Sequence, residues 1–135
     1  MADIVYRSNI KITVSDFIDL LKRSTLAERR PIDDAARIQK MLDHANVIVT
    51  AWAGDQLIGV SRAVTDFSFC CYLSDLAVDE KYQHQGIGKQ LIKLTHDTAG
   101  HETQLLLLAA PKATKYYPKI GMKRFEHCFV IDRKK

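Results

Sequence analysis

Apolar positions along the chain follow two spacings, and the switches between them divide the sequence into elements. "IVYR" (Ile4 to Arg7) is a short strand candidate. "VSDFIDLLKRS" then places Phe17, Leu20 and Leu21 on one helical face, with Ser15 positioned to cap it. Pro31 ends that pattern, because the residue before a proline avoids helical backbone. "DDAARIQKMLDHA" sets Ile38, Met41, Leu42 and Ala45 at i, i+3, i+4 and i+7, behind two carboxylates that suit a helix start. "NVIVTAWAGDQLIGVSRAVTD" predicts two strands around an Ala53-Gly54-Asp55-Gln56 turn, and "FSFCCYLSDLAV" a third, longer strand. "GIGKQLIKLTHDTAG" returns to helical spacing, with Ile87, Leu91 and either Leu94 or Thr95 inward and Gly100 as its stop. "TQLLLLAA" is a continuous apolar run of the kind buried on both faces. A short helix through "KATKYYPKI" and two closing strands, "MKRF" and "HCFVIDR", complete the pattern.

The resulting order is β-α-α-β-β-β-α-β-α-β-β. Hairpin-linked strands come first, and one strand-helix-strand crossover comes after them, which requires parallel pairing. The expected fold class is α/β: a mixed, mainly antiparallel sheet with flanking helices and a central crossover. With no repeat and no linker, residues 1–135 read as one domain.

Composition narrows the function. The 135 residues are 47% hydrophobic and 27% charged, which is ordinary for a globular protein able to bury a core. A formal charge of +4 mildly favours anionic partners, but the basic residues are scattered and do not predict a nucleic-acid binder. No apolar run approaches the roughly 20 residues that span a bilayer, so no membrane contact is expected. "MADIVYRSNI" lacks the apolar core and cleavage site of an export signal, which predicts a cytoplasmic protein. Three cysteines without a CxxC pair and five histidines without ligand-like spacing predict neither a disulfide framework nor a metal site. Cys70 and Cys71 are expected on opposite strand faces, as small hydrophobes.

The chemistry concentrates after Val78. "DEKYQHQ" leads to Gly86-Ile87-Gly88 and then a helix. The first amides of a helix have no intrahelical partners and carry partial positive charge. Glycines there let an anion approach the backbone. Taken alone, this is either a strand-to-helix turn or a phosphate cradle. Gly86-Ile87-Gly88-Lys89-Gln90 lacks the spacing and the hydroxyl of a Walker A loop, and Leu91 stands where a dinucleotide fingerprint needs its third glycine.

"LSDLAVDEKYQHQGIGKQLI" resembles the acetyl-CoA-binding core of the GNAT superfamily of N-acetyltransferases. The family pattern is a strand ending in an apolar-x-Val, a short loop, and Gln/Arg-x-x-Gly-x-Gly/Ala opening a helix. Gln83, Gly86 and Gly88 occupy those positions. A later stretch, "ATKYYPKIGM", is similar to the family's alanine, aromatic-Tyr pair and Gly-aromatic end, with Ala113, Tyr116, Tyr117 and Gly121. Met122 replaces the usual aromatic, and Pro118 a commoner acidic residue. The strand order is similar over nearly the whole chain.

The resemblance implies an acetyl-CoA-dependent enzyme without a metal. Leu76, Ala77 and Val78 would pair with the pantetheine arm. The amides of Gln83, His84, Gln85, Gly86, Ile87, Gly88 and Lys89 would hold the pyrophosphate, with Ala113 and Tyr116 nearby. Lys81, Lys89 and Lys93 either help there or are solvated. The acceptor would be an amine on a small molecule or a peptide, attacking the thioester directly in a ternary complex. Tyr117 corresponds to the tyrosine proposed as general acid, the alternative being a packing role; a phenol is protonated at neutral pH. The base is open between Asp75, a carboxylate in an apolar strand that needs a partner or a wet cleft, and Glu28. Asp75 can equally be a structural acceptor. Glu28, Arg29, Arg30 and Tyr72 are the candidate acceptor-site residues, with Arg29 and Arg30 suited to an anionic acceptor or to pairing with Asp33 and Asp34. Trp52, Phe67 and Phe69 divide between that pocket and the core. A homodimer through the C-terminal strands fits the same family. A CoA-binding sensor or regulatory module without catalysis is the alternative function.

Overall fold

The computed structural model describes residues 3–135. Five strands lie in the order β1 (Ile4–Ser8), β2 (Val47–Ala53), β3 (Gln56–Thr65), β4 (Cys70–Val78) and β5 (Gln104–Leu107). The first four pair antiparallel, and β5 joins β4 in parallel. That parallel pair is bridged by α3 (Ile87–Ala99), as the crossover predicts. Helices α1 (Val14–Ser24) and α2 (Ala35–His44) cover the opposite face.

Each face has its own core. On one, Ile87, Leu91 and Ala99 of α3 pack on Val47, Val49, Ala51, Ala63, Cys71 and Leu73. On the other, Phe17, Leu20 and Leu21 of α1 and Ile38 and Leu42 of α2 pack on Leu57, Val60 and Ala77. The helices start as their sequences dictate, with one shift. Thr13, not Ser15, caps α1 by accepting the Asp16 amide at 3.0 Å. Asp34 caps α2 by accepting the Arg37 amide at 3.0 Å.

Strand β4 contains the feature that shapes the site. Its register on β3 steps from Ala63↔Leu73 to Arg62↔Asp75, so Ser74 is an extra residue. Side chains alternate across a strand, so one extra residue reverses the faces beyond it. Cys71 and Leu73 point toward α3, whereas Asp75 and Ala77 point toward α1 and α2.

Two expectations fail at the C-terminal end. β5 is not buried on both faces; Leu106 is 41% exposed, because among the described residues no strand covers the outer edge of β5. "MKRF" and "HCFVIDR" form no strand: residues 122–135 are without helix or sheet. Phe129, Val130 and Ile131 are consequently exposed. A short helix does form, α4 (Tyr116–Lys119), with Pro118 inside it and a 3-10 turn, Pro111–Ala113, before it.

Candidate active site

β4 and β5 pair only from Cys70↔Gln104 to Leu73↔Leu107. Beyond Leu73 they separate, and from Ser74 to Val78 the β5-side edge of β4 has no strand partner. The gap is a cleft of about 580 Å³. Ser74, Leu76, Ala77 and Val78 form one wall, Leu107, Ala113 and Tyr117 the other, and Glu28, Arg29 and Arg30 one end. An open strand edge presents backbone donors and acceptors in a row, ready to pair with an extended ligand.

The glycine loop adjoins the cleft. Asp79, directly after β4, anchors the start of this loop: it accepts the Lys81 amide at 2.9 Å and the Arg23 guanidinium at 2.6 Å. Arg23 also donates to the Leu57 carbonyl at 2.8 Å. Gln83 reaches back to the Val78 carbonyl at 3.0 Å. His84 and Gly86 then adopt left-handed backbone, with φ of 65° and 80°. Turns of this kind gather successive amides into a concavity that suits an anion. Gly86 begins α3 with no side-chain cap. Gln90 is the first residue of that turn to donate back to Gly86, at 3.1 Å, so the amides of Ile87, Gly88 and Lys89 precede the helical ladder. A Cβ on Gly88 would sit 2.9 Å from the Tyr116 hydroxyl, so any larger residue there has to displace that side chain.

The two tyrosines sit on α4 across from that turn. Their rings meet edge to face at 5.2 Å. Burial, and then the neighbouring Tyr116 phenol, push the Tyr117 phenol above its ordinary value, so it stays a protonated donor. Burial also raises Tyr116, while the Lys89 amide facing its oxygen pulls the other way.

The other predicted residues divide. Asp75 is fully buried, and its two oxygens accept separately from Arg30 Nε and Arg62 Nε. Arg30 further donates to the Ser74 and Arg29 carbonyls at 2.8 Å each, and Arg62 to the Met41 carbonyl at 3.3 Å. Asp75 therefore has the partners that burial demands, but it is not in a wet cleft. Glu28 and Arg29 are exposed at the cleft, and neither forms an ion pair among the described residues; of the two alternatives for Arg29 and Arg30, pairing with Asp33 and Asp34 does not occur there. Tyr72 is exposed on β4 and does not line the cleft with Glu28, Arg29 and Arg30. Phe67 and Phe69 lie in the exposed β3–β4 turn, and Trp52 donates to the Thr50 hydroxyl at 2.8 Å. His84 is at the loop surface. Lys93 is engaged with Asp97 at 2.8 Å, which leaves Lys81 and Lys89 as the cations beside the loop without such a partner among the described residues.

Sequence reasoning missed Arg62 and Arg23. Each is one basic residue in an amphipathic stretch, and its carboxylate partner lies 13 and 56 positions away. An acidic residue isolated in an apolar strand was the available signal that a cation must meet it.

Comparison with known proteins agrees with this geometry. The family model described as an acetyltransferase (GNAT) domain matches residues 26–132. A histone acetyltransferase of Glycine max is 34% identical over 70 residues, which is 50% of this chain but only 30% of that protein's length. Among solved structures, a probable acetyltransferase of methicillin-resistant Staphylococcus aureus superposes with a TM-score of 0.78 at 22% identity, over 97% of this chain and 100% of that one. An aminoglycoside N-acetyltransferase in complex with CoA superposes with a TM-score of 0.74 at 19% identity, over 100% of this chain and 97% of that one.

Proposed function

The chain belongs to the GNAT acetyltransferase family, and we propose that it transfers an acetyl group from acetyl-CoA to an amine by direct attack in a ternary complex. The observation that carries this reading is the cleft where β4 and β5 part, with the uncapped turn of α3 at hand and Tyr117 in its wall. In this reading the pantetheine arm adds to the free edge of β4 at Leu76 to Val78. The amides from Gln83 to Lys89, with the side chains of Lys81 and Lys89, take the pyrophosphate. CoA in the complex of the aminoglycoside enzyme supports the choice of donor.

In the reaction, the neutral amine attacks the thioester carbonyl, the C–N bond forms and the C–S bond breaks. Tyr117 gives its phenolic proton to the departing thiolate; burial keeps that phenol in its protonated form until then. The amine's proton leaves to water or to Glu28. Asp75 is not assigned this role, because both of its oxygens are occupied and it has no contact with solvent. Its part is to hold Arg30 against the mouth of the cleft. Arg29, exposed and without an ion pair among the described residues, suits an amine that also carries a negative group. The bare edge of β5 and the exposed Phe129-Val130-Ile131 favour a homodimer that buries both, which sedimentation over a concentration series tests.

The deciding experiment is acetyl-CoA binding followed by a panel of amines scored by free CoA. A ligand at about 100 times its Kd adds about 2.7 kcal/mol of stability, so binding appears as a clear thermal shift. No shift would end this reading. A shift with no thiol release from any amine would make the protein a CoA-binding sensor instead. Tyr117→Phe should cut kcat at least tenfold with less than a twofold change in acetyl-CoA affinity, since general acids contribute about 100-fold or more. Equal losses in both would reduce Tyr117 to a packing residue.

A further inference from the structure

The Tyr116 phenol and a phosphate held by the α3 turn would need the same space. Gly88 and Lys89 lie in the first turn of α3, ahead of the helical hydrogen-bond ladder, and Gly86 supplies no side chain to cap them. The Tyr116 hydroxyl lies over this turn. It stands 2.9 Å from the point where a Gly88 Cβ would be, with the Lys89 amide next along the chain. Tyr116 comes from α4, a helix of only four residues, and is 37% exposed. Its ring belongs to neither core.

We propose that the Tyr116 hydroxyl is a resident stand-in for a phosphate oxygen of the acyl donor: it covers the Gly88–Lys89 turn in the free protein and must leave when the pyrophosphate arrives. Tyr116 therefore weakens donor binding, which reverses the supporting role expected of it from its position in the motif. The inference rests on the assignment of Gln83 to Lys89 as the pyrophosphate site. It also predicts where the competition acts. A donor with the pantetheine arm but no pyrophosphate does not contest the turn.

Calorimetric titration of Tyr116→Phe with acetyl-CoA and with S-acetylpantetheine tests this. One modest hydrogen bond is worth about fivefold in affinity. Acetyl-CoA should bind about fivefold tighter to the variant, and S-acetylpantetheine should bind as it does to the native protein. In ligand-free Tyr116→Phe, the Lys89 amide should exchange its hydrogen faster. Unchanged or weaker acetyl-CoA binding would overturn the proposal. So would equal tightening for both donors, which would mean that α4 had shifted as a whole. If the native protein bound no acetyl-CoA, the pyrophosphate assignment would fail by itself; Lys89 exchange, read without ligand, would still report whether the hydroxyl covers the turn, and an unchanged rate would refute that too.

Discussion

The arginine end and the glycine end of the cleft are built on opposite principles. At the arginine end, the buried charge is satisfied internally: Asp75 by Arg30 and Arg62. At the glycine end, α3 itself supplies no side chain to cap its first amides. The contrast is sharpest among the helix starts. α1 and α2 begin on Thr13 and Asp34, whose side chains take a backbone amide, whereas α3 begins on Gly86, which has none. A buried charge without a partner is costly, so the first end must be closed to fold. First-turn amides at a surface need no cap from their own helix, since water or the Tyr116 hydroxyl can meet them, so the second can wait for a ligand. One end is built for rigidity, the other for reception.

Breaking the closed end should have the largest effect. Asp75→Ala leaves Arg30 and Arg62 facing each other without their carboxylate, and should cost about 3–5 kcal/mol in urea unfolding. A loss below about 1 kcal/mol would mean that the arginines find water or new partners, and that this end is not closed at all. Filling the open end comes next. Gly88→Val pushes a side chain into the Tyr116 hydroxyl and over the amides; acetyl-CoA affinity should fall at least about 100-fold, or about 2.7 kcal/mol, without loss of the cooperative fold. Native-like affinity in that variant would refute the cradle. Smaller again is the loss of a filled cap. Asp34→Ala should cost about 1 kcal/mol of stability and leave donor affinity untouched. A matching fall in affinity would erase the distinction between caps that serve folding and a start that serves binding.

The smallest effect concerns a third arrangement, in the β3–β4 turn. Asp66 accepts the amides of Ser68, Phe69 and Cys70 at 2.8–3.0 Å, and these bonds hold its carboxyl down to about 2. Because the folded value is depressed, the contribution is complete above an ordinary carboxyl's range near pH 4 and disappears as pH falls through about 2. The amide shifts of Ser68, Phe69 and Cys70 should titrate with a midpoint near 2; a midpoint near 4 would show that the carboxylate gains nothing from the turn.

What could be read from the sequence was mainly what is local. Helical spacing marks α1, α2 and α3, and the glycine loop is legible because its chemistry lies within seven consecutive residues, Gln83 to Lys89. Groups that meet through the fold were not legible. Nothing near Gly88 predicts that a hydroxyl 28 positions later lies over it, and nothing near Arg62 marks it as a partner of Asp75. The closing strands failed for a related reason. "HCFVIDR" has apolar content suited to pairing, but a strand exists only where an edge receives it, and residues 122–135 meet none in this chain.

The extra residue at Ser74 has a consequence for how this chain can vary. Its contact with Arg30 is made by the backbone carbonyl, so almost any side chain could stand there. Removing the residue is another matter. A one-residue deletion would leave Asp75 opposite Arg62 in an unbroken ladder, but it would take away the bulge and the carbonyl that accepts from Arg30. The position should therefore be permissive to substitution, whereas its deletion should straighten β4 and cost the Arg30 contact while keeping Asp75 on its face. What it contributes is length, which leaves no characteristic letter in the sequence.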